Sequence, residues 1–129
     1  MSDIARPVNR EILLAFWKVH ILHHAGERAV YGLWLIEELA EHGYRLSPGT
    51  LYPILDRMER NGWLRSRQSG HVRSRRTYRI TTEGRRILRE LHRWIGELHE
   101  EVVLGRAKPV SLPRFVPPTT KRRRPNPGP

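Results

Sequence analysis

The chain contains no cysteine, which excludes disulfides, thiolate metal sites and cysteine nucleophiles together. Acidic residues are scarce: 13 Asp and Glu stand against 24 Lys and Arg in 129 residues, a formal charge of +11. No apolar run approaches membrane-spanning length, and the N-terminus lacks the basic-then-apolar pattern of a secretory signal. There is no Gly-rich phosphate loop and no nucleophile–base pair at recognisable spacing. These absences argue against an enzyme, a bound cofactor and a membrane partner. They lead to the expectation of a cytoplasmic, soluble protein.

What is abundant is positive charge, and it is uneven. Residues 105–129 hold seven basic and no acidic residues, together with seven of the ten prolines. That stretch, which includes Lys121-Arg122-Arg123-Arg124, cannot bury enough apolar surface to offset the entropy of ordering. It is expected to be a flexible Pro-rich basic tail, either merely solvated or adding non-specific affinity for DNA. Residues 57–93 carry twelve arginines against three acids, so the folded part has a basic patch of its own. An anionic partner follows, nucleic acid before membrane.

Local patterns divide the chain into four segments. Residues 1–8 form an arm. Asn9 is placed to cap a first helix with Glu11 near its positive end; Leu13, Phe16, Trp17 and Ile21 mark its apolar face, and Ala25-Gly26 its end. After a connection over 27–30, a second helix is expected over 31–42. Leu33, Ile36, Leu39 and Ala40 mark its buried side, which Leu35 widens, and Gly43 supplies the C-cap. Ser47 then caps a third helix with Pro48 at its first position. Leu51, Ile54, Leu55 and Met58 recur at i, i+3, i+4 and i+7 as one buried stripe. Two helices joined by a short turn containing glycine have the form of a helix-turn-helix.

The third helix stops near Asn61-Gly62. Residues 63–67 and 76–80 alternate and flank Ser69-Gly70, which reads as a two-stranded hairpin with an arginine-studded tip. Thr81 or Thr82 caps a fourth helix reaching about Leu104. On it Leu88, Leu91, Ile95, Leu98 and Val102 repeat at spacings of three and four. That seam, widened by Ile87 and Trp94, is too short for a free coiled coil but suits a dimer interface. The predicted fold is mainly α with a small β-hairpin: a winged helix-turn-helix over 9–81, a C-terminal dimerisation helix over 82–104, and the tail 105–129.

Ser47-Pro48-Gly49-Thr50-Leu51-Tyr52-Pro53, with Tyr31-Gly32 upstream and Gly62-Trp63-Leu64 downstream, resembles the PadR family of transcriptional regulators. The run from Tyr78 to Arg85 is similar to that family's wing-to-helix junction. The resemblance covers about residues 10–104 and is closest to the compact subfamily with a single C-terminal helix. It implies a homodimeric winged-helix repressor of transcription bound to double-stranded DNA. It also implies an apolar pore at the dimer interface that takes flat aromatic effectors, for which Trp17 and Trp94 are the candidates, although ordinary interface packing is the plainer reading of these tryptophans.

The outer face of the third helix offers small residues for close approach and donors for phosphates and base edges. Ser47, Gly49, Thr50, Tyr52, Pro53 and Arg57 are therefore the expected DNA contacts there. Arg73, Arg75, Arg76 and Tyr78 are the expected contacts of the wing. Leu88, Leu91, Trp94, Ile95, Leu98 and Val102 are expected to form the dimer interface. His20, His23, His24 and Glu27 have helical spacings that a metal could use, but packed or solvated histidines are the plainer reading, and no metal is expected. The competing function is a winged-helix module for protein interaction or for non-specific nucleic-acid binding.

Overall fold

Helix α1 (Arg10–Glu27) starts where Asn9 Oδ1 accepts the Glu11 N–H at 2.9 Å, the cap that the sequence predicts. The structure, a computed structural model, describes residues 9–71 and 75–106. The arm 1–8, Arg73 and the tail beyond 106 lie outside the described residues. α1 buries Trp17, Ile21, Leu22 and Ala25, whereas Phe16, expected on that stripe, is exposed. The helix also runs through Gly26 instead of ending at it. A Cβ added at Gly26 would lie 3.7–3.8 Å from side-chain atoms of Leu88 and Ile80. Contacts of that length are ordinary, and Gly26 does not take the positive φ of a helix-ending glycine, so α1 passes through it.

Helix α2 (Gly32–Glu41) buries Gly32, Leu35 and Leu39, and Leu33 and Ala40 face outward. This rotates the expected face. The run Leu33-Trp34-Leu35-Ile36 is apolar on every side, so periodicity cannot choose between two stripes. Gly43, at φ 89°, then closes the helix. Its N–H donates to Ala40 O at 3.0 Å and the Tyr44 N–H to Leu39 O at 2.9 Å, the paired bonds of a Schellman cap. The same motif recurs after α3 (Pro48–Arg60): Gly62 N–H donates to Glu59 O and Trp63 N–H to Met58 O.

The sheet has three antiparallel strands in the order β1–β3–β2, one more than the hairpin expected. β2 (Leu64–Gln68) and β3 (Arg76–Ile80) make the wing, and β1 (Val30–Tyr31) pairs with β3 through Val30 and Tyr78. A two-residue strand inside a connection is too short to leave a periodic signal. The core lies between the helices and the inner face of this sheet, where Ile21, Leu35, Leu51, Leu55 and Tyr78 are fully buried.

Helix α4 (Thr82–Leu98) continues as a π-helical turn over His99–Val103. The wider turn shifts Val102 out of the phase set by Leu88 to Leu98. Thr81 caps α4, its Oγ1 accepting the Gly84 N–H at 3.0 Å, and its hydroxyl donates to Gly62 O. The Thr81 N–H donates to Trp63 O at 3.0 Å. Gly84 sits so close that an added Cβ would overlap the Trp63 carbonyl and the Ile80 side chain. Gly96, on the same helix, has nothing within 4 Å of such an atom. Gly84→Ala is therefore expected to destabilise the fold by about 3 kcal/mol through overpacking. Gly96→Ala should stabilise it by about 0.5–1 kcal/mol through helix propensity. Denaturant midpoints of the two variants check this, and equal midpoints would contradict it.

Candidate nucleic-acid interface

Helix α3 is built with two faces. Leu51, Ile54, Leu55 and Met58 are buried, while Gly49, Pro53, Arg57 and Arg60 are exposed along the opposite side. Pro48 occupies the first turn as expected, but Ser47 does not cap through its side chain. Its hydroxyl donates to Thr50 Oγ1 at 3.3 Å and its oxygen accepts no backbone N–H of the first turn. The Thr50 and Leu51 N–H groups both donate to Ser47 O at 3.0 Å. Pro48 has no N–H, so among the described residues Gly49 keeps the first-turn N–H that lacks a backbone acceptor. The positive end of the helix dipole lies at this point.

Ser47, Gly49, Thr50, Pro53 and Arg57 thus share an accessible surface. A Cβ at Gly49 would meet only Ser47 Oγ, at 3.8 Å, so the backbone there is open to close approach from outside. Pro48, Gly49, Tyr52, Pro53, Asp56 and Arg60 line a shallow, open depression on this face. Tyr52 is half-buried because its ring lies against Gly32, where a Cβ would come 2.7–2.8 Å from the ring and hydroxyl atoms. It therefore locks α3 to the start of α2 as well as bordering the outer face. The sequence singles out Tyr31-Gly32 but does not reveal that contact.

The wing is held to α3 by Glu59, whose Oε1 accepts the Ser66 N–H at 2.9 Å and the Ser66 hydroxyl at 2.7 Å. Arg75 is exposed, and Arg76 is half-buried with its Nη2 donating to Gln68 Oε1 at 2.9 Å; Arg73 lies outside the described residues. Tyr78, expected at the DNA surface, is instead fully buried. Strand alternation puts it on the inner face with Leu64 and Ile80. Burial raises the pKa of its phenol, opposed by the nearby Arg76 guanidinium. The outer face carries exposed Arg65, Arg67 and Arg79, with Arg65 directly opposite Arg79. Sequence reasoning did not single these three out, although the alternation of Leu64-Arg65-Ser66-Arg67 held the signal.

Residues 21–90 match the Transcriptional regulator PadR-like family, a span that contains α2, α3 and the whole wing. The chain belongs to the PadR-like family. It is 50% identical over 99 residues to the transcriptional regulator Rv3488 of Mycobacterium tuberculosis, covering 76% of this chain and 92% of that one. The crystal structure of a PadR family transcriptional regulator from Eggerthella lenta is similar, at a TM-score of 0.60 and 31% identity. It covers 74% of this chain and 88% of that chain. A PadR-like transcriptional regulator from Bacillus cereus gives a TM-score of 0.64 at 27% identity, over 76% and 99% of the two chains. The fold is thus a PadR-type winged helix-turn-helix with a long C-terminal helix, and these relatives are regulators of transcription, not enzymes.

Beyond the PadR-like match, α4 changes character. Ile87, Leu88 and Leu91 pack against the core, whereas Trp94, Ile95, Leu98 and Val102 are 43–69% exposed. Trp17, paired with Trp94 as an effector candidate, is a core residue, 7% exposed and edge-on to Tyr44 at 6.4 Å between ring centroids. A buried indole in α1 cannot offer a stacking surface to a ligand. No helix among the described residues is long and apolar enough to cross a membrane. Gly32→Ala is expected to cost about 1–3 kcal/mol of stability, because the Tyr52 ring must move. Wild-type stability in that variant, measured by thermal unfolding, would show that the Gly32–Tyr52 contact does not position α3.

Proposed function

We propose that the chain is a homodimeric, sequence-specific DNA-binding repressor of transcription acting in the cytoplasm. The observation that carries this reading is the outer face of α3. It presents small residues, a dipole end and Arg57 where the family motif falls, beside an arginine-rich wing. In this reading residues 9–81 are the DNA-binding unit. Gly49 and Pro53 allow α3 to sit deep in a major groove, Ser47 and Thr50 donate to backbone or base edges, and Arg57 reaches a base edge or phosphate. Arg75 and Arg76 at the wing, joined by Arg65, Arg67 and Arg79, meet phosphates.

The exposed apolar residues of α4 support pairing with a second copy over residues 82–104. Burying them recovers about 25 cal/mol per Å² of apolar surface. Because Leu88 and Leu91 already lean on their own core, Trp94, Ile95 and Leu98 would carry most of the pairing. Trp94 is then the surface on which a flat aromatic effector would stack, shifting the dimer between DNA-competent and incompetent arrangements.

Two measurements test this reading. Arg75→Ala with Arg76→Ala should weaken binding to operator and random DNA alike. It should also flatten the slope of log affinity against log salt by about one to two units. An unchanged slope would remove the wing from the interface. Leu98→Glu should convert the dimer to monomer in sedimentation equilibrium and reduce operator affinity; a wild-type mass would place the dimer contact elsewhere. In competition, operator preferred over random DNA separates this reading from that of a non-specific or protein-binding winged helix.

A further inference from the structure

A histidine cluster lies on the side of the molecule formed by α1 and α2. His20 and His24 are one helical turn apart on α1, and Glu38 and His42 are similarly spaced at the end of α2, so each pair shares a face. The ligand atoms of His20, His24 and His42 all lie within 4.8 Å of one another. The rings of His20 and His42 are 4.7 Å apart between centroids. Glu38 Oε1 stands 3.4 Å from Nε2 of both His24 and His42. That is long for a charge-assisted hydrogen bond, which prefers about 2.7–2.9 Å. It matches the roughly 3.3 Å between neighbouring ligands of a tetrahedral zinc ion with bonds near 2.0–2.1 Å.

We infer that His20, His24, His42 and Glu38 form a binding site for a divalent transition cation of the zinc class. Three imidazoles and one carboxylate suit zinc and its neighbours over hard cations such as magnesium. The site is built in three further respects. The His24 ring is fixed edge-on to Trp34 at 5.2 Å. His20 is fixed in turn against Tyr44 at 5.7 Å. The half-exposed His42 side chain leaves a path for entry, and side-chain rotation closes the remaining gap. A bound ion would cross-link α1 to the first helix of the helix-turn-helix. This inference does not depend on the proposed DNA contacts.

Along α1 alone, His20, His23, His24 and Glu27 have spacings that a metal could use, and no metal is expected from them. Spacing along one helix does not bring Glu38 and His42 to the same place; the packing of α2 on α1 does. His23, His24 and Glu27 also lie close together, so His23 is the control. The test uses the full chain without a histidine tag, stripped of metal by chelation, and titrated with zinc by calorimetry alongside thermal unfolding. One zinc per chain and a rise in Tm are expected, with no response to magnesium. His42→Gln, at a half-exposed position, should keep the wild-type circular dichroism yet lose roughly 100-fold in zinc affinity. His20→Gln should behave alike, and His23→Gln should bind as wild type. No Tm rise with zinc, an equal response to magnesium, undiminished binding in His42→Gln, or loss of binding in His23→Gln alone would each overturn the assignment.

Discussion

The architecture depends on one close backbone contact, that of α4 against the end of α3. The Trp63 carbonyl accepts the Thr81 N–H, Gly84 lies directly against that carbonyl, and the Thr81 hydroxyl reaches back to Gly62 O. Three elements meet here: the Schellman turn that ends α3, the strand that leaves the wing, and the first turn of α4. Because glycine alone fits at position 84, the angle between α4 and the rest of the fold has little freedom. If α4 pairs two copies, the separation of the two α3 helices is set at this joint.

A second constraint gives α3 its two roles. Its buried stripe and the Tyr52–Gly32 contact hold it to α2, and Glu59 ties its far end to β2. The outer face is thereby fixed without being covered by the other described residues. Electrostatics favours the same side of the account. Arg65 faces Arg79 across the wing, and like charges directly opposite one another are destabilising in the free protein. Neutralisation of that charge by phosphates is the natural compensation in the DNA-binding reading.

Much of this was legible in the sequence, and the rest was hidden for physical reasons. The Asn9 and Thr81 caps, the Gly43 and Gly62 stops and the α3 stripe are local signals, and each stands where it was expected. The seven-residue run beginning at Ser47 was enough to suggest the family. Local patterns could not fix the α2 face, because its apolar run has no preferred side. Nor could they find β1, which exists only through pairing with β3. Tyr78 is expected at the DNA surface, and Trp17, on the apolar face of α1, at an effector pore; strand alternation and core packing place both inside. The assembly of His20, His24, Glu38 and His42 is a tertiary fact about two helices, and a pass along one helix cannot see it.

In the proposed reading the outer face of α3, held by these contacts and presented twice by a dimer, reads a DNA sequence. Selection of bound sites from random double-stranded DNA by the full chain tests it most directly. Enrichment of a pseudo-palindrome with half-sites about one helical turn apart, or a multiple of that, is expected. Bound pools that remain as random as the starting library would contradict it.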